Sequence, residues 1–188
     1  GGVLVDRSAQ FATDADVAGD QGFLTATNDR DVALTDVDGD GWLDVVTATT
    51  LGFSTPKVVG HPRVYRNLGE DGAGTWLGLR YEESRIPRLH SYISGFPSNP
   101  NFTTVSAGDV NGDGFVDLYF ADQDSIGEGL PTPLPVQDVN ERLLINDGNG
   151  YFTDESQLRM TPEMLESFFG TSAVLTDLNG DGFIDVVR

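Results

Sequence analysis

The 188-residue chain has no cysteine, which excludes a disulfide framework and any thiolate metal site. It has two histidines, His61 and His90, both in Pro-flanked, loop-like contexts. No Ser/His/Asp spacing supports either, so both are expected at the surface rather than in catalysis. Basic residues are few, with 11 Lys and Arg against 30 Asp and Glu and a formal net charge of −19. Such a surface repels nucleic acid and anionic lipid, and those partners are set aside. No apolar run approaches the ~20 residues of a membrane span. The opening stretch, GGVLVDRS, reads as strand rather than as a secretory leader. A leader already removed, or a longer parent chain, is compatible with it.

What is present is glycine, 23 residues of it, together with an ordinary 38% hydrophobic content. The acidic residues are not spread evenly. Ten of them fall in three nonapeptides, DVDGDGWLD (36–44), DVNGDGFVD (109–117) and DLNGDGFID (177–185). Asp36, Asp109 and Asp177 recur at intervals of about seventy residues, a period that suggests propellers or arrays. Two further matches run in phase. RVYRNLG (63–69) lines up with RLLINDG (142–148), and GVLVDRS (2–8) with GYFTDES (150–156), two periods apart.

One unit reads as four strands. A short strand (DVALT, TTVSAG, TSAVLT) enters the acidic loop, and a near-continuous apolar strand (LDVVTAT, VDLYFA, IDVV) leaves it. After a variable loop comes a third strand (RVYR, RLLI), a tight Asn/Gly turn and a fourth (WLGLRYE, YFTDES). A strand apolar on both faces needs cover on both faces, which stacked blades provide. The expected fold is therefore all-β: four-stranded antiparallel β-propeller blades with calcium loops, in a partial propeller. The expected division of the 1–188 segment is the end of a preceding blade and a connection (1–30), a blade over 31–84, a blade over 103–156 and the start of another over 171–188. Thr161 as a cap and Pro162 at the first helical position predict a short helix in TPEMLES (161–167).

The nonapeptide is D-x-[DN]-x-D-G-aromatic-x-D. Calcium takes 6–8 oxygen ligands, and positions 1, 3 and 5 of a tight loop can aim side chains at one point. Position 7 then offers its backbone carbonyl and position 9 closes the shell. The candidate ligands are Asp36, Asp38, Asp40, Trp42 (carbonyl) and Asp44 in the first loop. They are Asp109, Asn111, Asp113, Phe115 (carbonyl) and Asp117 in the second, and Asp177, Asn179, Asp181, Phe183 (carbonyl) and Asp185 in the third. Clustered carboxylates repel unless neutralised. Three Ca2+ ions would bring the formal charge from −19 to −13. Glycines at positions 4 and 6 allow the loop to curl and reverse, the latter with positive φ expected. The aromatic ring at position 7 is expected to anchor the loop in apolar packing. Magnesium rarely uses such all-protein cages, and zinc lacks its histidine and cysteine. An EF-hand is rejected because position 12 is Thr47, Phe120 or Arg188 rather than Glu, and β-type sequence follows.

FFGTSAVLTDLNGDGFIDVV (168–187) resembles the FG-GAP repeat of integrin α-subunit propellers, and RLLINDGNGYFTDES (142–156) resembles the second half of the related VCBS-type repeat. The resemblance implies a calcium-binding β-propeller, extracytoplasmic, with the loop ions on its lower rim, and it selects the same ligand residues. The first two units depart from it, having NDRDVALTD and NFTTVSAGD where a clean FG would stand.

The remaining polar features have bland readings. Glu82 and Glu83 are adjacent and point to opposite faces of a strand. DQDS (122–125) is expected to be a solvated turn rather than an extra ligand. NFT (101–103) fits a glycosylation sequon, common by chance. Trp76, Tyr119 and Phe120 are expected in the core. The function expected is a non-enzymatic binding, adhesion or scaffolding module, calcium having a structural role, with a protein or glycan partner or subunits of an envelope or surface complex. Loops 51–62 and 122–140 are the expected contact surfaces. The alternatives are a propeller scaffold for a larger enzyme and a lectin-like module.

Overall fold

The computed structural model describes residues 2–50, 61–93, 96–98, 100–122, 141–165 and 170–188. The variable loops expected as contact surfaces lie outside the described residues except at Asp122 and at His61 and Pro62. The regular structure of the described chain is mostly strand: β1 (Asp14–Ala15), β2 (Asp29–Thr35), β3 (Asp44–Thr49), β4 (Arg63–Asn67), β5 (Leu79–Tyr81), β6 (Ser91–Ile93), β7 (Phe96–Ser98), β8 (Phe102–Gly108), β9 (Asp117–Asp122), β10 (Arg142–Asn146), β11 (Phe152–Asp154), β12 (Val174–Thr176) and β13 (Asp185–Val187). Three one-turn helices accompany them, α1 (Ser8–Phe11), α2 (Ser156–Arg159) and α3 (Pro162–Leu165).

Two blades are built alike. In the first, β2, β3, β4 and β5 are antiparallel neighbours in chain order, and in the second so are β8, β9, β10 and β11. β12 and β13 form a further antiparallel pair. The inner strands stack, β2 on β8 and β8 on β12. The fold is all-β with propeller-type blades, and the sheets of the described residues do not close into a ring.

The two-faced strands show why the blades stack. Along β9, Leu118 and Phe120 face one core with Val46, Ala48, Val64, Phe102, Val105 and Leu144. Tyr119 and Ala121 face a second core with Leu143, Ile145, Met160, Leu165 and Ala173. All four β9 side chains are fully buried. Side chains alternate across a strand, so an unbroken apolar run can be buried only between two layers.

Several expectations need correction. Residues 2–7 are not strand: Val3, Leu4 and Val5 are exposed, and no neighbouring strand among the described residues supplies a ladder. The end of the match does hold. Asp6 Oδ1 accepts from the Ser8 amide (2.8 Å) as Asp154 Oδ1 accepts from the Ser156 amide (3.0 Å), and α1 and α2 follow. Two features were not foreseen: β1, which adds in parallel to β5, and the β6–β7 hairpin. The fourth strand of the first blade starts only at Leu79, because Gly78 is at φ +96° against the backbone of Phe11. The helix after Thr161 is present as α3, with the Met164 and Leu165 amides donating to the Thr161 carbonyl.

His61 is buried rather than at the surface, its Nε2 lying 3.1 Å from the Pro87 carbonyl oxygen, and burial pushes its pKa down. His90 is exposed. Tyr119 and Phe120 are core, but Trp76 is 37% exposed, its ring tilted against Phe11 and its Nε1 donating to Asn67 Oδ1 (2.7 Å). Asp122 ends β9 and is fully buried, and the rest of the DQDS stretch (123–125) lies outside the described residues.

Candidate metal centres

Each acidic loop links the first two strands of its blade: β2 to β3, β8 to β9, β12 to β13. The same backbone hydrogen bonds recur in all three. The position-1 carboxylate draws the loop around itself. Asp36 Oδ1 accepts from Gly39 (2.8 Å) and Asp40 (3.2 Å), and Oδ2 from Gly41 (2.8 Å). Asp109 accepts from Gly112, Asp113 and Gly114 at 2.7, 3.1 and 2.8 Å, and Asp177 from Gly180, Asp181 and Gly182 at 2.7, 3.2 and 2.9 Å. These donors hold the Asp177 carboxyl below the usual carboxylate range. The glycines at positions 4 and 6 all have positive φ, from +72° at Gly39 to +90° at Gly41 and Gly114, a conformation in which a Cβ is strained.

The position-9 carboxylate has another task. Asp44 is fully buried and accepts from the Val37 amide (2.9 Å) and from the Asn67 amide of β4 (2.7 Å). Asp117 repeats this with Val110 (3.0 Å) and Asn146 of β10 (2.9 Å). Asp185 accepts from Leu178 (3.0 Å). So in the first two blades position 9 ties the loop to the third strand. Burial pushes the Asp44 carboxyl up to about 6; the Asn67 and Val37 amides pull it down, and the charges of Asp38 and Asp40 add to the rise. Asp117 is raised for the same reasons.

The position-7 rings lie over the turn after the third strand. Trp42 covers Gly69 and Phe115 covers Gly148, so closely that a Cβ there would stand 2.8 and 3.0 Å from ring atoms. Both rings remain partly exposed, at 38% and 40%. Phe183 has no such turn beside it among the described residues and is 72% exposed.

In the first loop, oxygens of Asp36, Asp38 and Asp40 lie within 4.8 Å of one another. Asp38 Oδ1 is buried with no hydrogen-bond partner among the described residues. An all-oxygen donor set with an unsatisfied buried oxygen fits a hard divalent cation such as calcium. In the second and third loops Asn replaces Asp at position 3. There Asn111 Nδ2 donates to Asp113 Oδ2 (2.8 Å) and Asn179 Nδ2 to Asp181 Oδ2 (3.0 Å).

Residues 36–120, from the first acidic loop to strand β9, match the family model described as an FG-GAP-like repeat. That stretch is similar to an FG-GAP-like repeat. No curated protein matches the chain. FG-GAP-like repeats are binding and repeat modules rather than enzymes, and they are typical of extracellular proteins. No helix among the described residues is long and apolar enough to cross a membrane.

Two site residues escaped the motif reading, Arg66 and Arg85. Arg66 Nε donates to Asp38 Oδ2 (2.6 Å) and its Nη2 to Asp40 Oδ2 (3.2 Å). Arg85 Nη2 also reaches Asp38 Oδ2 (3.2 Å). For Arg66 the signal lay in RVYRN against RLLIN, where a charge stands opposite an apolar residue. Arg85 sits outside any repeated segment and carried no signal. In the Glu82–Glu83 pair, Glu82 Oε2 is held by Arg85 Nε at 2.6 Å, and Glu83 is exposed.

Proposed function

We propose that the three acidic loops bind one Ca2+ each and that the ions have a structural role, pinning the first two strands of each blade. The single observation that carries this is the threefold recurrence of one loop geometry, with a position-1 carboxylate wrapped by three amides and the position-3 and position-5 side chains beside it. Asp36, Asp38, Asp40 and Asp44, Asp109, Asn111, Asp113 and Asp117, and Asp177, Asn179, Asp181 and Asp185 would supply side-chain oxygen, with the carbonyls of Trp42, Phe115 and Phe183. The ion would supply positive charge where the chain concentrates negative charge.

The module built on these blades is a binding, adhesion or scaffolding element outside the cytoplasm. Calcium there is roughly millimolar, enough to fill sites of the ordinary extracellular class. Its partner would be a protein or a glycan, or subunits of an envelope or surface complex, met through the long loops. The test is direct metal counting after dialysis against calcium. Three ions per chain are expected, and none would end the reading.

A lectin-like reading draws on one recess of about 240 Å3, lined by Arg7, Phe11, Phe23, Trp76 and Leu79. An apolar, aromatic wall with one guanidinium is suited to stacking a sugar ring. A glycan array with Trp76→Ala as control tests it; equal binding by both proteins counts against it.

A further inference from the structure

We infer that Arg66 guards the first acidic loop: its guanidinium competes with calcium for the Asp38 and Asp40 carboxylates and weakens calcium binding there. The inference rests on the calcium reading above and concerns how readily the first site fills.

Three observations carry it. First, Arg66 bonds the carboxylates at positions 3 and 5 through their Oδ2 atoms, at 2.6 Å on Asp38 and 3.2 Å on Asp40, beside the Asp38 Oδ1 that has no partner among the described residues. In the other loops the corresponding contact is an internal amide-to-carboxylate bond, from Asn111 and Asn179. A neutral amide leaves no cation to displace. Second, the strand that carries Arg66 has a close counterpart without the charge. β4 and β10 match as RVYRN and RLLIN, and Ile145 stands at the position of Arg66. Third, the first loop has four carboxylates where each of the others has three, so one of its negative charges is already offset by the strand.

Arg85 is a different kind of neighbour. Its side chain is 6% exposed and is fixed from several sides: Glu82 at Nε (2.6 Å), the Asn149 and Gly150 carbonyls at Nη1 (3.1 and 3.3 Å), and the Tyr151 ring (5.1 Å). It joins the first loop to the β10–β11 turn of the next blade and stays there whatever the loop holds. Arg66 is 32% exposed. It can release its two carboxylates and swing into water, where a guanidinium is fully solvated. Arg66 is thus a positioning residue whose removal unmasks the loop.

The first loop can be read separately from the others. The chain has two tryptophans: Trp42 at position 7 of this loop, and Trp76, hydrogen-bonded to Asn67 next to Arg66. The other loops carry Phe115 and Phe183 at position 7. Terbium luminescence excited through tryptophan therefore reports the first loop, and calcium displacement of terbium gives its affinity. Total calcium per chain is counted in parallel. Wild type, Arg66→Gln and Arg66→Lys are compared, with Arg66→Ile, which copies the second blade, as an alternative should Arg66→Gln fail to fold.

Removing one guanidinium in contact with the carboxylates is expected to tighten the first loop about tenfold for calcium. Arg66→Lys, which keeps the charge, is expected to stay within about threefold of wild type. Equal affinity in wild type, Gln and Ile variants, with calcium bound in all, overturns the guard and leaves the calcium reading standing. No tryptophan-excited terbium signal in any variant, with no calcium counted per chain, overturns both.

Discussion

At the scale of single residues, the carboxylates divide by burial. Asp44 is sealed behind the loop, and its raised pKa gives a pH dependence with a definite sign. With the folded value near 6 and the unfolded value near 3.8, the folded state holds the proton more tightly. Stability from this group is complete below the unfolded pKa and is lost as pH rises towards 6. In chelator, Asp44→Asn should therefore gain on wild type as pH goes from about 4 to about 7, by on the order of 3 kcal/mol. Urea midpoints of the two proteins across that window measure it, and a constant difference would refute it. Calcium should flatten the dependence, because an ion beside the carboxylate favours its charged form. Asp113, at position 5 of the second loop, is not buried, and its loss is a test of place rather than pH. Asp113→Ala should lower the metal count by one and loosen its own blade first. Three ions still bound would show the second site wrongly placed.

At the scale of the strand and its turn, the two matching asparagines separate local from interblade stabilisation. Asn67 works within its own blade: Nδ2 donates to the Leu43 carbonyl (3.0 Å), and Oδ1 accepts from Gly69 (3.1 Å) and from Trp76. Asn146 makes the same local contacts, to the Val116 carbonyl (2.9 Å) and from Gly148 (2.9 Å), and adds a bond to the Val37 carbonyl of the first loop (2.8 Å). Asn146 is buried and Asn67 is not. Asn146→Ala takes the Nδ2 donor from the buried Val37 carbonyl and from the half-buried Val116 carbonyl, one on each side of the blade boundary, and should cost about 2–4 kcal/mol. Asn67→Ala should cost about 1 kcal/mol. Hydrogen exchange sharpens the contrast: faster exchange in the first loop on losing Asn146 is expected, and exchange confined to the second blade would argue against the bridge. The alignment of Asn67 on Asn146 was visible in the sequence. That only one of them crosses to the neighbouring blade was not, because the crossing depends on how the two sheets are laid together.

At the scale of the whole molecule, the acidic excess and the blade stacking meet. A chain of net charge −19 is under self-repulsion, and the loops concentrate it at the ends of the strands that hold the cores. Calcium binding would relieve the repulsion and stabilise by mass action. A site at calcium about 100-fold above its dissociation constant adds about 2.7 kcal/mol. For a chain of this size that shifts the melting temperature by about 5 °C or more per site when the blades unfold together. Melting in chelator and again after calcium is restored measures the shift, and a melting temperature indifferent to both would count against a structural role for the ions. The cores respond in another way. Phe120, fully buried beside Phe102 (ring centroids 5.0 Å apart), should cost about 3–5 kcal/mol as Phe120→Ala with or without calcium.

The sequence by itself determined the things that depend on local chemistry and period: four strands per blade, the acidic loops between the first two strands, the glycines at positive φ, and the helix after Thr161. Those are written in neighbouring residues, whose spacing sets backbone conformation directly. Only the tertiary structure decided what depends on which blade lies against which. The burial of His61, the half-exposed place of Trp76, the bridge from Asn146 and the two arginines at the first loop all involve residues far apart in the chain. The same packing left residues 2–7 without a ladder, although their sequence suits a strand, because a strand exists only beside another that can share its hydrogen bonds.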